Sequence, residues 1–169
     1  EQVCVAASAV DAIDVLEVAG RWIMDTGCRH DLISEKEAET LRHVRTEVEP
    51  LPFSTAGGRT QSTEMVPLRV VTFCRSSAGI ANAYIMNSTP AVLSIGKRVN
   101  WHGCSFIWLR GFLPAMVTHE HRIVIFDFQN DIPYFTRRSA KWSEDQNEAA
   151  KKAGAAASKG MGKLANSDA

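Results

Sequence analysis

The residues best placed to do chemistry are Asp25-Thr26-Gly27. They follow Trp22-Ile23-Met24, a short, wholly apolar run of the kind that forms a buried strand. A carboxylate at the end of such a strand is costly unless it is paired or used. Hydrolysing a peptide bond without a metal or a nucleophilic side chain needs a water activated by a general base and a carbonyl polarised by a general acid. Two carboxylates sharing one proton fill both roles, because two like charges so close cannot both ionise. The chain offers one carboxylate in this setting, so the second would come from another copy across a two-fold axis.

Other residue pairs carry weaker chemistry. Cys28 and His30 could act as nucleophile and base, but such pairs usually meet from distant segments, and these are two residues apart. Cys28 reads better as a small loop residue open to oxidation. His102 with Cys104, and His119 with His121, have the i, i+2 spacing that on a strand puts both side chains on one face, where they could ligate zinc. No C-x-x-C or H-E-x-x-H accompanies them, so turn or surface histidines are the plainer account. No metal and no cofactor is expected.

The elements that must position Asp25 are mostly extended. Ala12–Val18 is rich in β-branched residues and predicts a strand. Asp31-Leu32-Ile33 continues the apolar signal after the loop. Ser34 and Glu37 fit a capping box that opens a short helix to about His43. Arg45–Ser54 and Glu64–Phe73 predict a long hairpin whose glycine-rich tip is Thr55–Thr60, with Pro67 marking an exposed edge or bulge. Ile80–Met86 predicts a strand. A further strand is expected to run to Ile95, with a short helix from Gly96 to about Trp101 closed by Gly103. Ser105–Leu109, Ala115–Thr118 and Arg122–Phe128 predict strands, which confines helix in the domain to two short pieces.

Three features in order resemble the retropepsin family of aspartic proteases. Ile23-Met24-Asp25-Thr26-Gly27 is similar to its apolar-apolar-Asp-Thr/Ser-Gly motif. The tip Ala56-Gly57-Gly58-Arg59 is placed like its mobile flap. Val92-Leu93-Ser94-Ile95-Gly96-Lys97-Arg98 is similar to the apolar-apolar-Gly-Arg segment that packs behind the catalytic loop. Thr89–Arg98, with Asp131-Ile132-Pro133-Tyr134-Phe135 downstream, looks like proteases of Copia-type retrotransposon polyproteins. The resemblance covers about residues 12–135.

It implies an all-β, retropepsin-type acid-protease fold: a closed, barrel-like subunit with a flap hairpin and one or two short helices, working as a two-fold homodimer. It implies that Asp25 is catalytic, that Thr26 bonds across the two-fold, and that Gly27 lets substrate backbone approach. Gly57 and Gly58 would let the flap open and close, while Ile95, Gly96 and Arg98 would support the site. A polypeptide substrate is implied, most simply the polyprotein that contains the chain. Two positions depart from the family pattern: Cys28 and Arg29 follow Gly27, where small and acidic residues are usual. Arg29 cannot pair with the basic residue after Gly96; Asp31 is the acid placed to pair with Lys97 or Arg98. That drift keeps a second reading open, an inactive module that dimerises or binds peptide without cutting.

Length and composition bound the rest. The chain has 169 residues, 19 basic and 19 acidic side chains, and no net charge, which argues for one domain and against strong nucleic-acid binding. No run is long and apolar enough to predict a membrane span, and no signal-peptide pattern is present, so a cytoplasmic location is expected. Cys4, Cys28, Cys74 and Cys104 are irregularly spaced and predict free thiols. The start Glu1-Gln2-Val3, without Met, is expected of a piece cut from a longer polyprotein. The domain is expected over residues 8–135. Residues 136–169 are rich in Ala and Lys, with only Trp142, Met161 and Leu164 as large apolar residues. They predict a low-complexity tail with at most a loose helix around Glu144–Lys152.

Overall fold

The computed structural model describes residues 13–55, 58–70 and 79–165, with side chains to residue 155. The chain is mostly β and its main sheet is curled into a half-barrel. Strands β1 (Ile13–Asp14), β2 (Arg21–Asp25), β3 (Asp31–Ser34), β4 (Thr46–Thr55), β5 (Gly58–Arg69), β6 (Ile80–Met86), β7 (Val92–Ser94), β11 (Asp127–Gln129) and β12 (Ile132–Thr136) build it. Their order is β1-β5-β6-β3-β7-β2-β12-β11, with β4 added beside β5. Strands β8 (Ser105–Ile107), β9 (Ala115–Val117) and β10 (Ile123–Ile125) form a separate antiparallel meander. Among the described residues no helix is long and apolar enough to cross a membrane.

The strand order matters for the site. Strand β7 enters between β2 and β3, parallel to β2 (Asp25 opposite Ser94) and antiparallel to β3 (Leu32 opposite Val92). Alternation along β2 buries Trp22 and Met24 in the main core, with Leu93, Phe126 and Phe135, and puts Ile23 and Asp25 on the other face. On that face a smaller cluster of Leu32, Met86 and Val92 packs with Ile23, Cys28, Phe53 and Tyr84.

Several local expectations hold. Ser34 caps α2 (Glu35–Ala38) through a full capping box with Glu37, and a 3-10 turn continues it to Val44. Helix α3 (Ile95–His102) ends at Gly103, whose φ of 63° is the left-handed cap that glycine suits. Strand β6 has the expected bounds.

Other expectations need correcting. After β1, residues Val15–Val18 form a helical turn, α1, because the Asp14 carboxylate accepts the Leu16 N–H at 2.8 Å and outweighs the β-branched propensity. The described part of the Glu64–Phe73 segment is the end of β5, and Pro67 is buried there rather than at an edge. Pairing with β4 stops at Met65 and pairing with β1 starts at Leu68, so on that side the missing N–H at Pro67 breaks no ladder. Residues 71–73 lie outside the described residues. The Arg122–Phe128 segment is two strands in two sheets, divided at the fully buried Phe126, whose N–H goes to Pro114 O at 2.8 Å.

The largest difference is α4 (Arg137–Ala165), a 29-residue helix where a loose one around Glu144–Lys152 is expected. Its first turns are docked without large apolar side chains. Ser139, Ser143 and Asn147 lie four residues apart, on one face. The Ser143 hydroxyl accepts the Ile125 N–H at 2.8 Å, and the Asn147 amide both accepts from and donates to the Ile123 backbone. These side chains stand in for a neighbouring strand along the open edge of β10. Thr136 and Ser139 exchange reciprocal side-chain to backbone bonds that start the helix.

Candidate functional site

Asp25 is the last residue of β2 and is half-buried. Its Oδ1 accepts the Gly27 N–H at 2.6 Å, which fixes the carboxylate over the turn. A Cβ on Gly27 would stand 3.4 Å from that oxygen, at ordinary contact, so glycine keeps this side of the carboxylate clear. The second oxygen of Asp25 and the exposed Thr26 hydroxyl make no hydrogen bond among the described residues.

Behind this turn lies a buried ionic clamp. Asp31 is fully buried and accepts the Ser94 N–H at 2.9 Å. Arg98 Nη1 stands 3.0 Å from Asp31 Oδ1, and Lys97 Nζ stands 3.1 Å from Oδ2. Burial opposes ionisation of Asp31, but the Arg98 and Lys97 charges and the Ser94 N–H outweigh it and hold its pKa below the ordinary carboxylate value. Because Ser94 sits opposite Asp25 across β2–β7, the clamp fixes the strand that flanks the aspartate. Asp31 thus takes the place that its spacing suggested, and bonds both basic residues. Arg29 is exposed and takes no part. Ile95 is buried at the start of α3, whose N-cap is Ser94, with its hydroxyl accepting the Lys97 N–H at 3.1 Å.

The loop after Gly27 joins the hairpin through rings. His30, Phe53 and Tyr84 meet edge-to-face, with centroids 5.1–5.8 Å apart. Burial first, then the nearby Lys97 and Arg29 charges, lowers the His30 pKa. The Cys28 thiol donates to the His30 carbonyl at 3.0 Å, and burial raises its pKa, so it lacks the character of an activated thiolate. Cys28 and Cys104 are both free thiols.

The flap residues are placed less fully. Gly58, with φ of 115°, and Arg59 are exposed at the far end of the β4–β5 hairpin, where Thr55 Oγ1 donates to Gly58 O. Ala56 and Gly57 lie outside the described residues. The structure thus brings Asp25, Gly27, Ser94, Ile95, Gly96 and Arg98 into one unit, while Gly58 and Arg59 stand at the described end of the β4–β5 hairpin. Among the described residues no group of three or more His, Cys, Asp or Glu gathers as a metal site, and the His102–Cys104 and His119–His121 spacings do not make one. Sequence reading missed the ring cluster of His30, Phe53 and Tyr84, which joins three separate segments and has no local signal.

Comparisons of the chain with protein-family models, with curated proteins and with solved structures return no match.

Proposed function

We propose that the chain is one half of an aspartic endopeptidase of retropepsin type, complete only as a two-fold homodimer, acting on polypeptide such as the polyprotein that contains it. The observation that carries this is the setting of Asp25. It ends a buried strand, is oriented by the Gly27 N–H, keeps one oxygen free, and is backed by a clamp that consumes the neighbouring carboxylate. Asp31 is committed to Arg98 and Lys97, so it cannot serve as the second acid. A second Asp25 can.

In the dimer one Asp25 is ionised and its partner protonated. The ionised carboxylate takes a proton from water as the water oxygen attacks the scissile carbonyl carbon. The protonated one gives its proton to the carbonyl oxygen. Collapse of the tetrahedral intermediate breaks the C–N bond as a proton passes to the leaving amine. Because this mechanism needs one proton shared between the two carboxylates, cleavage is expected to be best at mildly acidic pH.

The test is cleavage of an unstructured polypeptide at about pH 5–6, with the pair's acid–base role setting that choice. Asp25→Asn should lower the rate by about 100-fold or more, and statine compounds, which mimic the tetrahedral intermediate, should inhibit the unaltered protein. Undiminished cleavage by folded Asp25→Asn would refute the proposal.

A further inference from the structure

Every exposed large apolar side chain among the described residues lies between Val99 and Ile132, after the clamp. Trp108, Leu109, Phe112 and Phe128 are 40%, 59%, 69% and 46% exposed, and they line an open groove of about 460 Å³ together with Leu113. The Trp108 ring stands edge-on to Phe128, 6.2 Å between centroids. At roughly 150–250 Å² per aromatic side chain, these exposures leave several hundred Å² of apolar surface in water. That is the size of the largest apolar patch on a typical monomer, which is often a functional one, and about half of the roughly 800 Å² that each partner contributes to a standard interface.

The groove sits at the catalytic end of the sheet. Strand β12 runs antiparallel to β2, with Tyr134 opposite Ile23, so its first residues lie level with Asp25. The β11–β12 turn at Asn130 and Asp131 is therefore at that end too, and β11 is two strand spacings, about 10 Å, from β2. Two charges flank the groove, Arg110 and Asp131, and neither has an ion-pair partner among the described residues.

We infer that this groove is the surface by which two copies of the chain associate. The inference rests on the half-site proposed above: an axis that brings two Asp25 side chains together also brings this end of the two sheets together. A patch carrying one unpaired charge of each sign is complementary to itself under a two-fold, Arg110 of one copy facing Asp131 of the other. The chain's zero net charge adds no repulsion between copies.

Sedimentation velocity of the full chain over a range of concentrations tests this, with circular dichroism to check folding. The unaltered protein should dimerise. Phe112→Asp should raise the dimer dissociation constant about 100-fold, as for a central hot spot. Arg110→Asp should raise it about 10-fold. Adding Asp131→Asn, which suits the φ of 59° there, should recover part of that loss. The inference is overturned if folded Phe112→Asp dimerises as well as the unaltered protein, or if Phe112→Asp changes peptide affinity and leaves the dimer intact. The two readings separate cleanly. A dimer indifferent to Phe112→Asp removes the surface and leaves the peptidase standing. A dimer that Phe112→Asp breaks, in a protein that cleaves nothing, does the reverse.

Discussion

Replacing Arg98 by Met tests whether the clamp behind Asp25 holds the fold. Arg98 and Asp31 are 4% and 0% exposed, with a nitrogen–oxygen distance of 3.0 Å. Removing one partner of a buried pair leaves an uncompensated charge, which costs about 3–5 kcal/mol. Lys97 stays 3.1 Å from Asp31 and is more exposed, so the lower part of that range applies. At about 2–4 °C per kcal/mol for a chain of this size, Tm should fall by roughly 6–12 °C at pH 7. Arg98→Met/Asp31→Asn should be less damaged than Arg98→Met alone, because the asparagine carbonyl can still accept the Ser94 N–H and no fully buried charge is left, only the more exposed Lys97 losing its partner. The pH dependence supplies a second check. The folded pKa of Asp31 lies below its ordinary value of 3.8, so its contribution is full above that value and is lost as pH falls through the folded pKa. The Tm gap between the unaltered protein and Arg98→Met should therefore be steady at neutral pH and narrow below about pH 4. Calorimetry across pH reads both. A Tm change under about 2 °C at pH 7, or a gap that ignores acid, would refute the clamp as a source of stability.

Two further outcomes follow from neighbouring parts of the structure. Ser143→Ala removes the acceptor for the Ile125 N–H in a buried contact and should cost about 1–3 kcal/mol by denaturant unfolding; an unchanged midpoint would mean that α4 is not docked there. His30 has a folded pKa below its ordinary 6.5, so its neutral form favours the fold above that value and this support fades as pH falls through the folded pKa. Its ring resonances in a histidine NMR titration should turn at a midpoint below 6.5, moving toward 6.5 in Phe53→Ala, which opens the cluster to water; an ordinary midpoint in the unaltered protein would contradict the packing.

Legibility followed the range of the interaction that decides each element. The Ser34–Glu37 box and the Gly103 cap are local, and both could be read directly. The turn at Asp25 was legible for the same reason: an aspartate ending the Trp22–Met24 run and followed by Thr26-Gly27 is a local turn signal, and its Oδ1 accepts the Gly27 N–H. Asp31 was legible as a partner because the departure at Arg29 left an acid displaced by two residues. Helix α4 was not, since its docking uses Ser139, Ser143 and Asn147, which composition counts as solvent-facing and which matter only beside the open edge of β10. The break at Phe126 was hidden because a strand that changes sheets keeps its apolar character. The groove was hidden likewise. Trp108-Leu109 and Phe112-Leu113 have the composition of core, and only tertiary structure shows them facing water.

The two aspartates six positions apart have opposite surroundings, which under the proposed function is why one protomer folds with its charge satisfied at Asp31 and holds only half a site at Asp25. Asp31 satisfies its charge within the protomer, through Ser94, Lys97 and Arg98, and in doing so ties β3 to β7 and α3, with β7 in turn paired to β2. That same satisfaction removes it from chemistry, because a carboxylate held ionised by two cations neither shares a proton nor gives one up near neutral pH. Asp25 has the opposite arrangement: a single backbone donor and an open side. Rigidity behind and openness in front are what a transition-state site needs, since preorganisation must be in place before the substrate arrives. For the proposed peptide hydrolysis that openness calls for a second copy, because a lone carboxylate can be base or acid in one state of ionisation but not both at once. If two copies associate as proposed, folding stability and dimerisation rest on different residues, the clamp and the groove, and substitutions in one should leave the other measurable.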